Sequence, residues 1–243
     1  MSDDELKDIP ESIFADDDGS ADARLAQSLI RYSRGKAPLT DVVDALAYAR
    51  VLIPVFAQGE ERHVGKHGLE QDAVASTGVV AVQMPDGRAA LPVFTDVDAM
   101  RLWNPKARPI PAEGPRAALA AIAEEWSTLV INPGMETVLI PRPAVWALGK
   151  GGHWRPAVIE GRVDDEVRDA VAQAVTLDHL LKEVDVAPGR GAEVAVVLRL
   201  VPGLTQSELD AILGRVQREL SYNDIVAQRL DSLELRLSEA AQY

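Results

Sequence analysis

Cysteine is absent from the 243-residue sequence, and its absence excludes several kinds of site at once. Without a thiol the chain forms no disulfide, holds no thiolate nucleophile and offers no cysteine ligand to zinc or an iron–sulfur cluster. Long apolar runs are also missing, since no window approaches the ~18–20 residues that cross a membrane. The N-terminal MSDDELKDIPES lacks the positive flank and apolar core of a signal peptide. We therefore expect a cytoplasmic protein that does not bind membranes.

Basic residues are outnumbered, because 25 Lys and Arg face 38 Asp and Glu for a formal net charge of -13. Residues 1–22 contain nine acidic residues and one lysine, so most of the excess negative charge lies in this segment. Nucleic acids are bound through clustered Lys and Arg, and the sequence has no such cluster, so we predict no nucleic-acid binding. We interpret residues 1–20 as a flexible, solvated acidic tail, with a docking motif as the alternative.

The remaining composition is that of a folded protein, with 47% hydrophobic and 26% charged residues. The length suits two modest domains. The stretch GKGGHWRP at residues 149–156 is rich in glycine and predicts a linker between them. We therefore predict an α+β protein with two mixed helix and sheet domains, at residues 21–150 and 151–243, after the flexible acidic tail.

Alternating apolar residues and turn signals predict the strands of the first domain. RVLIPVFA at residues 50–57 predicts a strand, and its Pro54 suggests an edge or a bulge. Two hairpins are predicted, one turning at Asp86-Gly87 and one at Pro133-Gly134, where the order Pro-Gly favours a type II turn. After the first hairpin, Thr95 and Asp98 suggest a capping box for a short helix. The stretch DGRAALPVFTDVDAMRLWNP is thus explained as scaffold.

The second domain is predicted as helix, strand, helix, strand. The first helix is expected over DDEVRDAVAQAVTLDHLLKEV at residues 164–184, and AEVAVVLRLV follows as a buried strand. Thr205 and Glu208 form a capping box at the start of the second helix. In the final strand DSLELRLSE, alternation turns three leucines inward and two charged residues outward: Leu233, Leu235 and Leu237, and Glu234 and Arg236.

The order of these motifs resembles the SseB family of enhanced serine sensitivity proteins. The resemblance is carried by RVLIPV, DGRAALPVFTDVDAMRLW, ARPIP, LVINPGMETVLIPRPAVWAL and EVAVVLRLVPGL, and it covers roughly residues 40–240. It implies an SseB N-terminal-type domain to about Leu148, an SseB C-terminal-type domain after the linker, and a cytoplasmic bacterial protein. It implies no catalytic residue and no cofactor, since the family is named for a cellular phenotype.

The four histidines are weak candidates for catalysis or metal binding. His63 and His67 lie four residues apart, a spacing that ligates one metal when both stand on a helix. The glycines around them favour a solvated loop over residues 58–76, and a metal site at this pair is the alternative. His153 and His179, the latter expected on a helix, have no Ser or Cys nucleophile nearby in sequence, so no catalytic triad is inferred.

Other polar and aromatic side chains have either a structural or a functional explanation. Asp96 and Asp98 are explained by their place at a helix N-terminus, where negative charge complements the helix dipole. Tryptophan packs cores and also dominates binding hot spots, so the aromatic residues and their polar neighbours are candidates for contact with a ligand or a partner. These candidates are Trp103, Asn104, Trp146, His153 and Trp154.

Two functional hypotheses follow from the sequence. We favour a non-enzymatic protein that binds a protein partner, a small ligand or a second copy of itself. The homodimer version would use the final strand near Leu233 to Leu237, if that strand lies at a sheet edge. The alternative is an unrecognised hydrolase or metal-binding enzyme that uses histidines of the 58–76 loop or of the linker.

Overall fold

The protein is described by a computed structural model over residue 14, residues 17–56 and 79–240, and the backbone of residues 73–74. The described residues divide into two compact units, one within Met1–Pro141 and Val145–Gly152, the other within Arg142–Ala144 and His153–Tyr243. The fold is α+β, as predicted. Within these ranges no helix has both the length and the hydropathy needed to cross a membrane.

The first half of the chain alternates helices and short strands. The helices are α1 (Ala23–Ser33), α2 (Leu39–Leu46), α3 (Val97–Trp103), α4 (Gly114–Ala123) and α5 (Arg142–Gly149). The strands are β1 (Arg50–Val55), β2 (Ala73–Val74), β3 (Val80–Gln83), β4 (Ala89–Val93), β5 (Arg108–Glu113), β6 (Thr128–Ile131) and β7 (Val138–Ile140).

The first unit contains a five-stranded sheet of order β2-β3-β4-β6-β7 and an antiparallel β1–β5 pair. Strands β4 and β6 are parallel, and their neighbours are antiparallel. Leu52 of β1 and Phe94, which follows β4, exchange N–H···O bonds of 2.8 and 2.9 Å. One hydrophobic cluster of the core lies beside this junction, where Leu52, Phe94, Ala99 and Met100 are buried together.

The strand predicted at residues 50–57 is confirmed over Arg50–Val55, and both predicted hairpins are confirmed. Gly87 and Gly134 have φ of +82° and +85°, which an L side chain rarely adopts. The Met135 N–H donates to Asn132 O over 3.2 Å, which closes the second turn as the Pro-Gly order indicated. Strand β5 was not expected, because Pro109 and Pro111 weaken the sequence signal for a strand.

The capping box predicted at Thr95 and Asp98 is wrong. Asp96 caps α3 instead, and its Oδ1 accepts from the Ala99 N–H over 2.7 Å. Thr95 is buried at 4% exposure, and its hydroxyl donates to Asp96 Oδ2 over 2.8 Å. The Asn132 side chain helps to hold Thr95 in this position, because its Oδ1 accepts from the Thr95 N–H over 3.0 Å. Thr95 is thus bonded to a residue 37 positions away, while Asp96 caps the helix.

The second unit builds one sheet and packs helices on it. Its elements are β8 (Val158–Ile159), β9 (Arg162–Val163), α6 (Asp165–Ala174), β10 (Leu181–Pro188), β11 (Val194–Leu200), α7 (Gln206–Ser221), α8 (Asp224–Arg229) and β12 (Leu233–Glu239). The sheet order is β10-β11-β12, antiparallel between β10 and β11 and parallel between β11 and β12. The core includes Val171, Val196, Leu198, Val216 and Leu220. The predicted capping box of Thr205 and Glu208 at the start of α7 is confirmed.

The helix predicted over residues 164–184 is too long, because α6 ends at Ala174. Asp178 accepts the N–H groups of both Leu180 and Leu181 over 2.8 Å, and this local side-chain bond replaces helical hydrogen bonding. The same N–H groups, that of Leu181 first, lower the pKa of Asp178. Leu181 then begins β10, and His179 lies in the connecting loop instead of on a helix as expected.

Candidate functional site

The sequence candidates Trp103 and Asn104 lie at the C-terminal end of α3. The Trp103 ring lies 5.2 Å from the Phe94 ring and 6.4 Å from the Phe56 ring, measured between centroids. Asn104 caps the helix, since its N–H donates to Met100 O and its Oδ1 accepts from the Lys106 N–H over 3.0 Å. Both side chains are therefore engaged in local packing and capping.

Trp146, the third candidate, lies on α5 with 42% of its surface exposed. Lys150 stands one turn later, and its Nζ lies 5.0 Å from the centre of the indole ring. A cation over the face of tryptophan is a favourable contact of about 0.5–1 kcal/mol at an exposed site. The lysine covers one face of the ring and leaves less of it for a ligand.

His153 and Trp154 follow in the segment before β8. His153 is exposed, and Trp154 is half-buried with an Nε1–H that finds no acceptor among the described residues. The next residue, Arg155, pairs with Asp164 over 2.7 Å, and Arg229 donates to Arg155 O. This pairing holds the segment in place.

The predicted metal pair, His63 and His67, lies outside the described residues, as does most of the 58–76 loop. Where the structure describes the chain, no group of three or more His, Asp or Glu side chains is arranged to hold a metal ion. The hydrolase hypothesis therefore stays a prediction that rests on the sequence alone.

A polar cluster that sequence analysis missed lies beyond the carboxyl ends of the parallel strands β4 and β6, the place where open sheets bind ligands. Asn132 has φ of +49° and donates from Nδ2 to Thr95 Oγ1 over 3.0 Å. Arg50 donates to Thr95 O over 2.9 Å and pairs with Asp17 over 2.7 Å. The cluster ties residues 17–20, the described end of the expected tail, to the first unit. Its polar atoms bond one another, which favours a structural role.

Two cavities of the second unit each contain a charged side chain that pairs with neighbouring groups. One of about 300 Å³ lies between the β8–β9 hairpin and the start of α6, and its Asp164 is paired with Arg155 and Arg229. Another of about 420 Å³ lies beside α7, α8 and the start of β12. Its Arg142 guanidinium donates to Ala227 O and Leu230 O. Asp164 and Arg142 are thus each held by partners within the second unit.

The outer edge of β12 is the candidate site of the second unit. Strand β12 pairs with β11 on one side only, and no described strand pairs with its other side. The Val194 N–H donates to Ser232 O, and the Ala240 N–H donates to Leu200 O. Residues of even number therefore face β11. Because the backbone groups of successive strand residues point to opposite sides, those of Leu233, Leu235, Leu237 and Glu239 face outward.

The side chains of β12 divide between two faces of the sheet. Leu233 and Leu235 pack on the core of the unit, while Leu237, on the same face, is 49% exposed. Glu234 and Arg236 stand on the opposite face and pair over 2.5 Å. The alternation predicted from the sequence is confirmed for Leu233 and Leu235, and the edge carries an apolar row beside a row with one charge of each sign.

Glu234 also fixes the loop that precedes β11. Its carboxylate accepts from the N–H groups of Arg190 and Gly191 over 3.1 and 3.0 Å, and Arg236 donates to it through Nε over 2.8 Å. These bonds, those from the two backbone N–H groups first, lower the pKa of Glu234 to about 2. The carboxylate therefore stays charged at neutral and mildly acidic pH, so the charge pattern of the edge is constant there.

A second carboxylate at the base of β12 behaves in the opposite way. Burial raises the pKa of Glu193, and the nearby negative charge of Asp231 raises it further. The Glu193 side chain accepts from the Asp231 N–H over 2.8 Å, while the Glu193 N–H donates to Ser232 Oγ over 3.0 Å. These bonds join the residues that precede β11 and β12, and so hold the start of the edge strand in place.

Comparison with protein-family models matches residues 25–147 to the SseB protein N-terminal domain. The matched region includes β1 to β7 and the polar cluster around Thr95 and Asn132, and it ends before the segment of His153. The resemblance of the second unit to an SseB C-terminal-type domain stays a prediction. No curated protein and no solved structure matches the chain.

Proposed function

The chain belongs to the SseB family, and we propose that it is a non-enzymatic cytoplasmic binding protein, because the resemblance to this family implies no catalytic residue. Its partner is a protein segment in extended conformation that adds a strand to the outer edge of β12. The absence of cysteine suits a reducing compartment. The observation that carries the proposal is the row of outward N–H and C=O groups at Leu233, Leu235, Leu237 and Glu239.

Strand addition suits this edge because β12 is seven residues long and contains no proline, so every outward-facing residue carries both an N–H and a C=O group. Backbone hydrogen bonds supply affinity in this mode of recognition, and alternate side chains supply specificity. An incoming strand meets Leu237 on one face of the sheet and the pair of Glu234 and Arg236 on the other. We therefore expect the partner strand to alternate apolar residues with charged residues of both signs.

The experiment that tests this function uses a display library of random ten-residue peptides and the full-length protein. We expect the selected peptides to alternate apolar and charged residues. Amide exchange measured by NMR should slow at Leu235 and Leu237 when such a peptide binds, since these N–H groups become hydrogen-bonded. Leu237→Pro removes one outward donor and should abolish binding.

A control for this experiment is Ile110→Pro on β5 of the other unit, where the Ile110 N–H faces β1. This variant should leave peptide binding unchanged, provided that circular dichroism shows it to be folded. Peptides that bind but protect amides elsewhere would contradict the proposal. So would peptides that bind Leu237→Pro as tightly as the unaltered protein. The hydrolase alternative is tested separately by the metal content of the purified protein and by His63→Ala and His67→Ala.

A further inference from the structure

We propose that the strand that occupies the β12 edge is β12 of a second copy of this chain, paired antiparallel about a two-fold axis through Leu235. This inference rests on the proposed function of the edge and names its partner. The dimer joins two three-stranded sheets into one sheet of order β10-β11-β12-β12-β11-β10. The same surface serves both copies, as two-fold symmetry requires.

The backbone of β12 permits this register. In an antiparallel pair, residues that exchange both N–H···O bonds must both turn those groups toward the partner. With Leu235 opposite Leu235 of the second copy, Leu233 lies opposite Leu237 and Leu237 opposite Leu233. All of these residues face outward, because the bonds at Ser232 and Ala240 assign the even-numbered residues to β11. Each of these pairs therefore exchanges two hydrogen bonds.

The charges of β12 select this register from its neighbours. With Leu235 on the axis, Glu234 lies opposite Arg236 of the second copy, and Arg236 lies opposite Glu234. These are non-hydrogen-bonded pairs, whose side chains approach most closely, and opposite charges there are favourable. An axis through Glu234 would place two carboxylates opposite each other, and an axis through Arg236 would do the same with two guanidinium groups. The segment LELRL is thus complementary to itself in charge only when Leu235 is central.

Both charged side chains have bonding capacity left for the second copy. The Arg236 guanidinium has five N–H donors. Within the chain, Nε and Nη2 donate to Glu234 Oε1, and Nη2 also donates to Pro188 O. Glu234 Oε2 accepts one hydrogen bond, from the Gly191 N–H. The pair between the copies therefore extends the existing bonds without breaking them.

The apolar face gives a second reason for self-pairing. Leu233 and Leu235 pack on the core, but Leu237 on the same face is 49% exposed. Pairing about Leu235 places Leu237 of each copy beside Leu233 of the other. The cross-strand pair removes exposed apolar surface from water at both ends of the contact, which favours association.

The test is sedimentation equilibrium of the full chain with variants that change the charge pattern. The unaltered protein should shift with concentration from 26.2 kDa to twice that mass. Arg236→Glu places two acidic residues in each strand, and Glu234→Arg two basic ones, so each variant alone should stay monomeric. An equimolar mixture of the two should form a heterodimer, and the double variant Glu234→Arg/Arg236→Glu should dimerise again.

Circular dichroism and thermal unfolding of each variant check that it is folded. Should Glu234→Arg fail to fold, because Arg190 and Gly191 lose their acceptor, Arg236→Glu and Leu237→Pro test the same contact with Glu234 retained. A protein that is monomeric at every concentration overturns the inference. Unchanged dimerisation of Arg236→Glu and Leu237→Pro also overturns it. An equimolar mixture of Arg236→Glu and Glu234→Arg that stays monomeric, although both variants are folded, overturns the inference too.

The register is measured with spin labels on a single Ser238→Cys substitution, which is simple because the chain has no cysteine of its own. The proposed register places Ser238 opposite Ser232 of the second copy, so the two labelled backbones are separated by about 20 Å along the strands. An axis through Arg236 would reduce that separation to about 14 Å and would overturn the proposed register.

The two proposals fail differently. A monomer whose β12 edge still binds library peptides overturns self-pairing and leaves the strand-docking function standing. A monomer that binds no peptide at this edge overturns both.

Discussion

The two outer edges of the sheet in the second unit differ in what they offer to another strand. Strand β10 forms one edge and β12 the other. The bonds of β11 at Val194 and Leu200 face β12, so its odd-numbered residues face β10. The register then turns Val184, Val186 and Pro188 of β10 outward. Pro188 has no N–H, and the Val186 N–H donates to Asp185 Oδ1 over 2.8 Å.

The edge at β10 is therefore blocked, while the edge at β12 is open as far as the described residues extend. A register shift between Leu181 and Glu183 distorts β10 further, a recognised way of protecting an edge. Strand β12 has no proline and no register shift, and no side chain of the described residues is bonded to one of its outward N–H groups. The two edges of one sheet therefore differ in the N–H donors that they present to another strand.

Strand β5 of the first unit repeats the blocked pattern. Pro111 lies opposite Leu52 and Pro109 opposite Pro54, and neither pair can exchange two hydrogen bonds because proline lacks N–H. Leu52 accordingly bonds Phe94 on its other side. Pro109 and Pro111 thus face outward and remove two donors from that edge, where proline is tolerated.

Adjacent proline substitutions in β12 should give the largest effect and test which residues face outward. Ser238→Pro should lower the free energy of unfolding by about 1–3 kcal/mol, because it removes an N–H that points toward β11. Leu237→Pro should cost the monomer clearly less, because its N–H faces outward. Urea unfolding at low protein concentration measures both. Equal losses would contradict the assigned alternation.

Removal of the side chain that blocks β10 should give a smaller effect. Asp185→Ala frees the Val186 N–H and should speed its amide exchange, with a loss of about 1 kcal/mol in stability from the lost hydrogen bond. The variant also loses an exposed ion pair with Arg168. Arg168→Ala is the control for that pair, and it should leave exchange at Val186 unchanged. Slow exchange in Asp185→Ala would mean that another group protects this edge.

The pH dependence of stability should report the bonds that hold Glu234. The pKa of this carboxyl is about 2 in the folded chain, below its ordinary value of about 4.5, so the folded state favours the charged form. Its contribution is complete above about pH 4.5 and is lost as the pH falls toward about 2. Glu234→Gln should thus be less stable than the unaltered protein at neutral pH, with a difference that shrinks in acid. A constant difference in thermal unfolding across this range would contradict the assignment.

Local patterns in the sequence predicted much of the fold, including both hairpins and the capping box at Thr205. The final strand and its inward leucines followed from alternation alone, because side chains of a strand point to opposite faces in turn. Leu237 departs from the pattern at 49% exposure, because it stands on the core face without packing on the core. Alternation shows the direction of a side chain but does not show which neighbours reach it.

Features that depend on distant contacts were not predictable. The segment from Val175 to Val184 has apolar residues that fit a helix as well as a strand, and the bonds of Asp178 decide between them. The cluster of Thr95 and Asn132 joins residues 37 apart. The position of β12 at a sheet edge depends on strand order, which a single sequence leaves undetermined. The sequence therefore predicts pairing through this strand only on the condition that it lies at an edge.

Opening the blocked edge of β5 should give the smallest effect on stability and the sharpest comparison with β12. Pro111→Ala adds one outward N–H, and we expect a change in unfolding free energy within about 0.5 kcal/mol, as for most surface substitutions. The new N–H should exchange rapidly, because no described strand pairs with the outer edge of β5. Self-association measured by sedimentation should stay that of the unaltered protein, since β5 lacks the self-complementary charges of β12. Its only charged residues, Arg108 and Glu113, stand at the two ends of the strand, and Pro109 to Ala112 carry no charge. Stronger association of Pro111→Ala would show that free donors are sufficient for pairing and that the charges of β12 are not required.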